Sequence, residues 1–346
     1  MLETNIKQLA AAQPLDDAQV QAAVELLADG TISAPLKAEF LIALAQKGET
    51  PEEIAAFARA LHKKSVLLPL PELWRESHEI LDIVGTGGDR LGTFNISTTS
   101  AILCAAAGVV VAKHGNRAVT SQSGSADVLE ALRIPIDLTP EEAARSLQEK
   151  KFAFFFAPNF HPAFKHIAPA RKLCAERGQR TIFNFLGPLL NPARPSAMLV
   201  GVPRAELCEP LAKVLQSLGV RRGMVVSGAV GSTARLDELS TLGDNFVAEF
   251  YHERGFTSST LPMKNFPLQP AKLDDLLGGD KFQNAEITRK ILRGQDRGPK
   301  RDAVLLNAGA ALFVAGKTRS LAEGWELAER TIDSGAASAK LVELGG

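Results

Sequence analysis

Short apolar runs separated by helical stretches limit what this chain can build. From residue 79 onward the runs are EILDIVG (79–85), VVVAKHG (109–115), FAFFFAPN (152–159), AMLVGV (197–202) and RGMVVSG (222–228). Each is short, bounded by glycine or proline, and reads as a buried strand. Between them STTSAILCAAAG (97–108), SADVLEAL (125–132) and RAELCEPLAKVLQSLG (204–219) read as helices. Strand alternating with helix predicts a mostly parallel sheet covered by helices on both faces. The stretch 241–261 carries few helix signals and is consistent with antiparallel strands. AVLLNAGAALFVAG (303–316) and SLAEGWELAERTI (320–332) read as C-terminal helices.

The first 65 or so residues follow a different pattern. LDDAQVQAAVELLADG (15–30) sets Val20, Ala23, Val24 and Leu27 at helical spacing, with Gly30 placed as a C-cap would be. TPEEIAAFARALHKK (50–64) opens as a capping box, Thr50 to Glu53, with Pro51 at the first helical position. No strand-like alternation occurs here, so this is a helical unit. LLPLPELW (67–74) is punctuated by proline and reads as a linker. A length of 346 residues suits two domains.

Lys+Arg and Asp+Glu balance at 39 each, so the chain has no global field for nucleic acid or an acidic membrane, and any anion site must be local. No uninterrupted apolar segment reaches membrane-spanning length. MLETNIKQLA lacks the basic flank and apolar run of a signal peptide. Cys104, Cys174 and Cys208 have no metal-like spacing and read as small buried residues in a reducing cytoplasm.

The chemistry concentrates in GTGGDRLGTFNIST (85–98), which joins a strand to a helix. In an open parallel sheet ligands bind at that strand end. Glycines permit close backbone approach and positive φ, and a helix N-terminus offers N–H donors to phosphate. Asn95, Ser97, Thr98, Thr99 and Ser100 add side-chain donors. Asp89 does not suit direct phosphate contact; it fits sugar hydroxyls or a metal that carries the phosphate. The turn is neither a Walker loop nor G-x-G-x-x-G, because Arg90 stands three residues after Gly87. Alone, it could be an ordinary βα turn.

A second loop, KHGNRAVTSQSGSAD (113–127), also leaves a strand and enters a helix. It carries Lys113, His114, Asn116 and Arg117, then Thr120, Ser121, Ser123 and Ser125. Two donor-rich loops at neighbouring strand ends form a pocket for a multiply charged phosphate ester. In RLDEL (235–239), Asp237 and Glu238 are adjacent acids that either face solvent or hold a hard cation such as Mg²⁺. In FAPNFHPAFKHIAPARKL (156–173), Arg171 can clamp a carboxylate, while His161 and His166 read as packed or capping residues.

With these residues in view, the chain resembles the anthranilate phosphoribosyltransferase family. The carrying motifs are DIVGTGGD (82–89), FNISTTSA (94–101), AKHGNRAVTSQSGSADVLEAL (112–132), FAPNFHPAFKHIAPAR (156–171), RTIFNFLGPLLNPA (180–193) and LDELS (236–240). The resemblance implies an α/β fold of the nucleoside phosphorylase/phosphoribosyltransferase type. A small helical domain, 1–75 with part of 170–195, would join a large α/β domain, 76–346, with a mostly parallel central sheet. It implies a cytoplasmic homodimer acting on phosphoribosyl pyrophosphate (PRPP) and anthranilate with Mg²⁺, and no nucleic-acid or membrane partner.

By the same resemblance, PRPP meets Gly85, Gly88, Asp89, Thr93, Asn95, Ile96, Ser97 and Thr98. It also meets the loop Lys113, His114, Gly115, Asn116, Arg117, Ala118, Val119, Thr120 and Ser121, and Ser125. Anthranilate is matched to Gly85, Asn116 and Arg171, and Mg²⁺ to Ser97, Asp237 and Glu238. No covalent nucleophile is implied. Three departures stand out: Arg90-Leu91 where small or polar residues are usual, Arg133 where glycine is common, and TLGDN (241–245) for a frequent Gly-Pro-Thr. A pyrimidine-nucleoside phosphorylase would share the architecture with a further C-terminal domain. A nucleic-acid-binding relative would show an eroded glycine turn and a basic surface, whereas GTGGD is intact here.

Overall fold

A computed structural model describes residues 1–118, 122–252 and 255–345. Among the described residues eight strands form one sheet: β1 (Ile80–Gly85), β2 (Val110–Gly115), β3 (Phe152–Phe156), β4 (Ala197–Gly201), β5 (Arg222–Val230), β6 (Ala234–Leu236), β7 (Asn245–Tyr251) and β8 (Gly255–Leu261). Their order is β3-β2-β1-β4-β5-β7-β8, with β6 paired to β5. The five strands from β3 to β5 are parallel; β6, β7 and β8 run antiparallel. The fold is a helical N-terminal part on a large α/β part with a mostly parallel sheet, and no described helix is long and apolar enough to cross a membrane.

Helices cover both faces because the parallel strands are apolar on both sides. Leu199 and Val226 point into one cluster with the Ile96–Ala106 and Pro299–Val314 helices, while Val200 and Val225 point into another. That second cluster also takes in the N-terminal helices Leu2–Ala10, Asp17–Ala28, Ala34–Lys47 and Pro51–His62. Ile167, Ala170 and Cys174 of the Phe164–Glu176 helix belong to it, as do Phe183, Leu186 and Leu189 of the Phe183–Leu189 helix. All three cysteines are buried and free.

The capping box at Thr50 forms as its spacing predicts, and a second one forms at Asp16. Gly30 is not a C-cap. The helix ends at Ala28, and its C-cap is Asp29 in an extended conformation. Glycine at 30 instead makes room for a side chain: an added Cβ would lie 3.0 Å from His166 Nδ1. The linker stretch runs at its end into the short Glu72–Ser77 helix.

Two of the departures sit in left-handed backbone: Arg90 at φ 58° and Arg133 at φ 63°. Arg133 follows the Ser125–Ala131 helix. Its N–H bonds the Glu130 carbonyl, and Ile134 N–H bonds Leu129. This is a Schellman closure, where glycine is favoured because a Cβ is crowded at positive φ. Arg133→Gly is therefore expected to stabilise the chain by about 0.5–1 kcal/mol, read as a higher urea midpoint with unchanged slope.

Candidate active site

The parallel strands end at a common edge, and glycines there make room for the acidic segment. β1 and β4 end in register at Gly85 and Gly201. An added Cβ on Gly201 would lie 1.5 Å from the Asp237 carbonyl oxygen, and one on Gly85 would lie 2.8 Å from Asp237 Oδ2. On β5, a Cβ at Gly228 would meet the Glu238 carbonyl at 2.6 Å. Residues 237–240 thus lie across three strand ends, packed against backbone.

The acids then organise the glycine turn. Gly87 N–H donates to Asp237 Oδ2, and Ser97 N–H donates to Glu238 Oε1 at 3.0 Å. Asp237 N–H reaches Asp89 Oδ2 at 3.4 Å. The helix N-terminus expected to cradle phosphate thus already receives the Glu238 carboxylate at Ser97, which fits the positive end of the helix dipole. Thr98 supplies a buried hydroxyl without a partner. Burial, then Asp89, pushes the Asp237 carboxyl up to about 8. Burial, then Asp237 and Asp89, drives Glu238 well above the usual carboxylate range. Glu238 Oε2 is buried with no hydrogen-bond partner.

This donor set suits a hard divalent cation. Oxygen ligands and mutually repelling carboxylates meet around an orphaned oxygen. No group of three or more His, Cys, Asp or Glu among the described residues could hold a metal. Mg²⁺ does not require one, since one or two carboxylates plus substrate phosphates are its usual protein site.

The second loop faces the first. Asn95 Nδ2 donates to the Ser123 carbonyl at 3.3 Å, while Asn95 Oδ1 accepts from Asn284 Nδ2 at 2.9 Å. Ser125 Oγ donates to the Asn116 carbonyl, and a Cβ on Gly115 would strike Ser125 Oγ. Lys113 is buried. Its pKa is lowered by burial, partly offset by Asp82 and Glu238. The Arg117 guanidinium is committed to Asp127 and Glu130, each at 3.0 Å, and Asp127 also accepts the Ala118 N–H. Ile96 is part of the core, and Thr93 pairs in a bridge with Leu277. Gly88 lies on the turn between the Gly87 and Asp89 contacts. Val119, Thr120 and Ser121 lie outside the described residues.

Beside this crevice opens a cavity of about 640 Å³. Gly85, Asn116 and Arg171 all line it. Phe183, Leu186 and Pro188 give it apolar walls, and Arg171 holds its guanidinium 5.1 Å from the Phe183 ring centroid. His161 is a buried cavity residue that lies edge-on to His114, with ring centroids 5.3 Å apart. Burial, then His62, brings His161 down to about 4. Burial, then His161, pulls His114 well below the ordinary histidine value. Both rings are neutral at pH 7, each with an unpartnered Nε2. His166 packs against Gly30 instead.

The comparisons decide the family. Residues 77–338 match the glycosyl transferase family, a/b domain, and 4–65 match its helical bundle domain. A Rubrobacter xylanophilus anthranilate phosphoribosyltransferase is 44% identical over 99% of this chain and 96% of its own length. The chain belongs to the anthranilate phosphoribosyltransferase family. It is an enzyme, a glycosyltransferase. The Petrotoga mobilis anthranilate phosphoribosyltransferase is 46% identical over 94% of this chain and 91% of its own. The crystal structure of that enzyme from Thermus thermophilus superposes with a TM-score of 0.88 at 42% identity, covering 99% of this chain and 98% of the other. The Saccharomyces cerevisiae enzyme in complex with PRPP and Mg gives 0.86 at 29% identity, over 99% and 96% of the two chains.

Several residues of this site were not singled out from the sequence. Asn284 lies far along the chain, on a helix without a motif. Asp127 and Asn191 lay inside quoted motifs without an assigned role. Asp82 carries a visible signal, a carboxylate flanked on both sides by apolar residues, Ile80-Leu81 and Ile83-Val84.

Proposed function

We propose that this chain transfers the phosphoribosyl group of PRPP to the amine of anthranilate. The products are N-(5-phosphoribosyl)anthranilate and pyrophosphate, as in the second step of tryptophan synthesis from chorismate. One observation carries this reading: the crevice between the two loops adjoins a cavity that collects Gly85, Asn116 and Arg171. Relatives named for this activity, a yeast neighbour in complex with PRPP and Mg, and another with 4-fluoroanthranilate support it.

The reaction displaces pyrophosphate from the anomeric carbon. The nucleophile is an aniline, neutral at pH 7, so it needs orientation more than activation. The chain's tasks are positioning and charge stabilisation. Lys113 faces the departing pyrophosphate with a buried ammonium, whose charge acts strongly where water is excluded. The Thr98 hydroxyl and the turn around Gly88 and Asp89 hold phosphate and ribose. Asp237, Glu238 and Ser97 would hold Mg²⁺. When bound, Mg²⁺ would neutralise charge accumulating on pyrophosphate. Arg171 orients the anthranilate carboxylate while the ring rests on the apolar wall. The Arg117 guanidinium, tied to Asp127 and Glu130, shapes the loop and leaves phosphate contact to its neighbours.

We read the helical N-terminal residues 1–75, with part of 170–195, as one domain and 76–346 as the other. A cytoplasmic homodimer fits the family and the buried thiols.

Anthranilate fluorescence tests the reaction: it should decline only with enzyme, PRPP and Mg²⁺ together. Arg171→Ala should raise the anthranilate KM about 10–100-fold, the loss of a charge-assisted hydrogen bond, with the PRPP KM little changed. An unchanged anthranilate KM removes Arg171 from this role.

A further inference from the structure

The pairing of β1 with β2 stops before the site, although the two strands continue side by side. They pair only at Ile80↔Val110 and Leu81↔Val111. On their outer sides both continue: β1 pairs with β4 as far as Gly85↔Gly201, and β2 with β3 as far as Gly115↔Phe156. The split leaves backbone groups in the interior without ladder partners, and such groups must be satisfied in some other way.

Two buried side chains fill the gap. Asn191 Nδ2 donates to the Ala112 carbonyl at 2.7 Å and to Asp82 Oδ2 at 2.8 Å. Asp82 Oδ1 accepts the His114 N–H at 3.4 Å. Asn191 Oδ1 takes the Ala193 N–H at 2.9 Å. Asp82 and Asn191 are both fully enclosed. An ordinary parallel pair would have used Val and Ile here and zipped shut.

The consequence lies directly above. Past the split, β1 leads to Val84, Gly85 and Thr86 on one side of the cavity, and β2 leads to His114, Gly115 and Asn116 on the other. Asn191 follows the Phe183–Leu189 helix, which forms the third wall. We propose that the Asp82–Asn191 pair is a positioning device that wedges β1 and β2 apart and thereby sets the distance between the two substrate-binding loops. Neither residue touches substrate; both act through Lys113, His114 and Gly85. Asp82 also faces the Lys113 ammonium, and burial raises its own carboxyl to about 6. This inference rests on the transferase reading above.

The test uses the full chain and three variants: Asp82→Asn, Asn191→Asp and the exchanged pair Asp82→Asn with Asn191→Asp. Asn191→Asp loses both donated hydrogen bonds and sets two acids face to face. Misplacement of a site by about 1 Å costs roughly 100-fold, so kcat/KM should fall by about that factor, with both substrate KM values raised. The exchanged pair restores one amide-to-carboxylate bond and should recover about tenfold over Asn191→Asp alone. A readout independent of the reaction is amide hydrogen exchange, which should quicken at 112–115 in Asp82→Asn while the rest of the sheet stays protected. If both single variants keep both KM values within about twofold of the parent, or exchange quickens across the whole sheet with KM unchanged, the pair is only structural and the inference fails. A parent chain that does not consume anthranilate sinks the functional reading instead; the local exchange pattern still decides whether the pair holds the split.

Discussion

Gly201→Ala is expected to remove at least about 100-fold of kcat/KM while leaving the sheet folded. The added methyl would sit 1.5 Å from the Asp237 carbonyl oxygen and 2.2 Å from its carbon, both backbone atoms that no rotamer change can move away. The segment 237–238 must therefore lift from the strand ends. Gly87 and Ser97, which donate their N–H groups to Asp237 and Glu238, would then lose their anchors. Overpacking of this kind costs about 1–3 kcal/mol of stability, which a chain of this size can survive. Circular dichroism and steady-state kinetics on the same sample separate the two effects. Near-parental kcat/KM in a folded variant would show that the acidic segment need not lie on this glycine bed.

Glu238→Gln is expected to lower activity and raise stability together. The amide keeps an oxygen for the Ser97 N–H but replaces the orphaned Oε2 with a donor facing the cation site. Loss of such an electrostatic contact costs about 100–1,000-fold in rate. The gain in stability follows from the repulsion among buried Asp237, Glu238 and Asp89. Asp237→Asn adds a pH signature. Burial and Asp89 push the folded carboxyl up to about 8, against roughly 4 in the unfolded chain. Between those values the folded chain keeps a proton that the unfolded chain has lost, so stability falls as pH rises through the window. Unfolding followed in EDTA from pH 5 to 9 should show that slope in the parent and a flatter line in Asp237→Asn. Full activity in Glu238→Gln, or a parent slope of opposite sign, would remove the pair from this role.

Much of the architecture was legible because it depends on local periodicity. The runs 79–85, 109–115, 197–202 and 222–228 became β1, β2, β4 and β5, since a strand buried on both faces must be apolar almost throughout. The Thr50 box was legible because capping involves residues three apart. FAFFFAPN was only partly so: β3 stops at Phe156 and a short helix, Ala157–Phe160, follows. Gly30 misled, because what it makes room for is His166, more than a hundred residues away.

By itself the chain's order of residues determined the parallel sheet, the two donor-rich turns at its edge and the family, since each is written in neighbouring residues. Tertiary structure alone decided what those turns face. It set Asp237 and Glu238 across three glycine strand ends, gave the Ser97 N–H to a carboxylate, drew His161 into the cavity wall and bonded Asn191 to Asp82 where the pairing of β1 with β2 stops. The Ser97–Glu238 and Asp82–Asn191 contacts join segments more than 100 residues apart, and close packing, which local periodicity does not record, selects among such contacts.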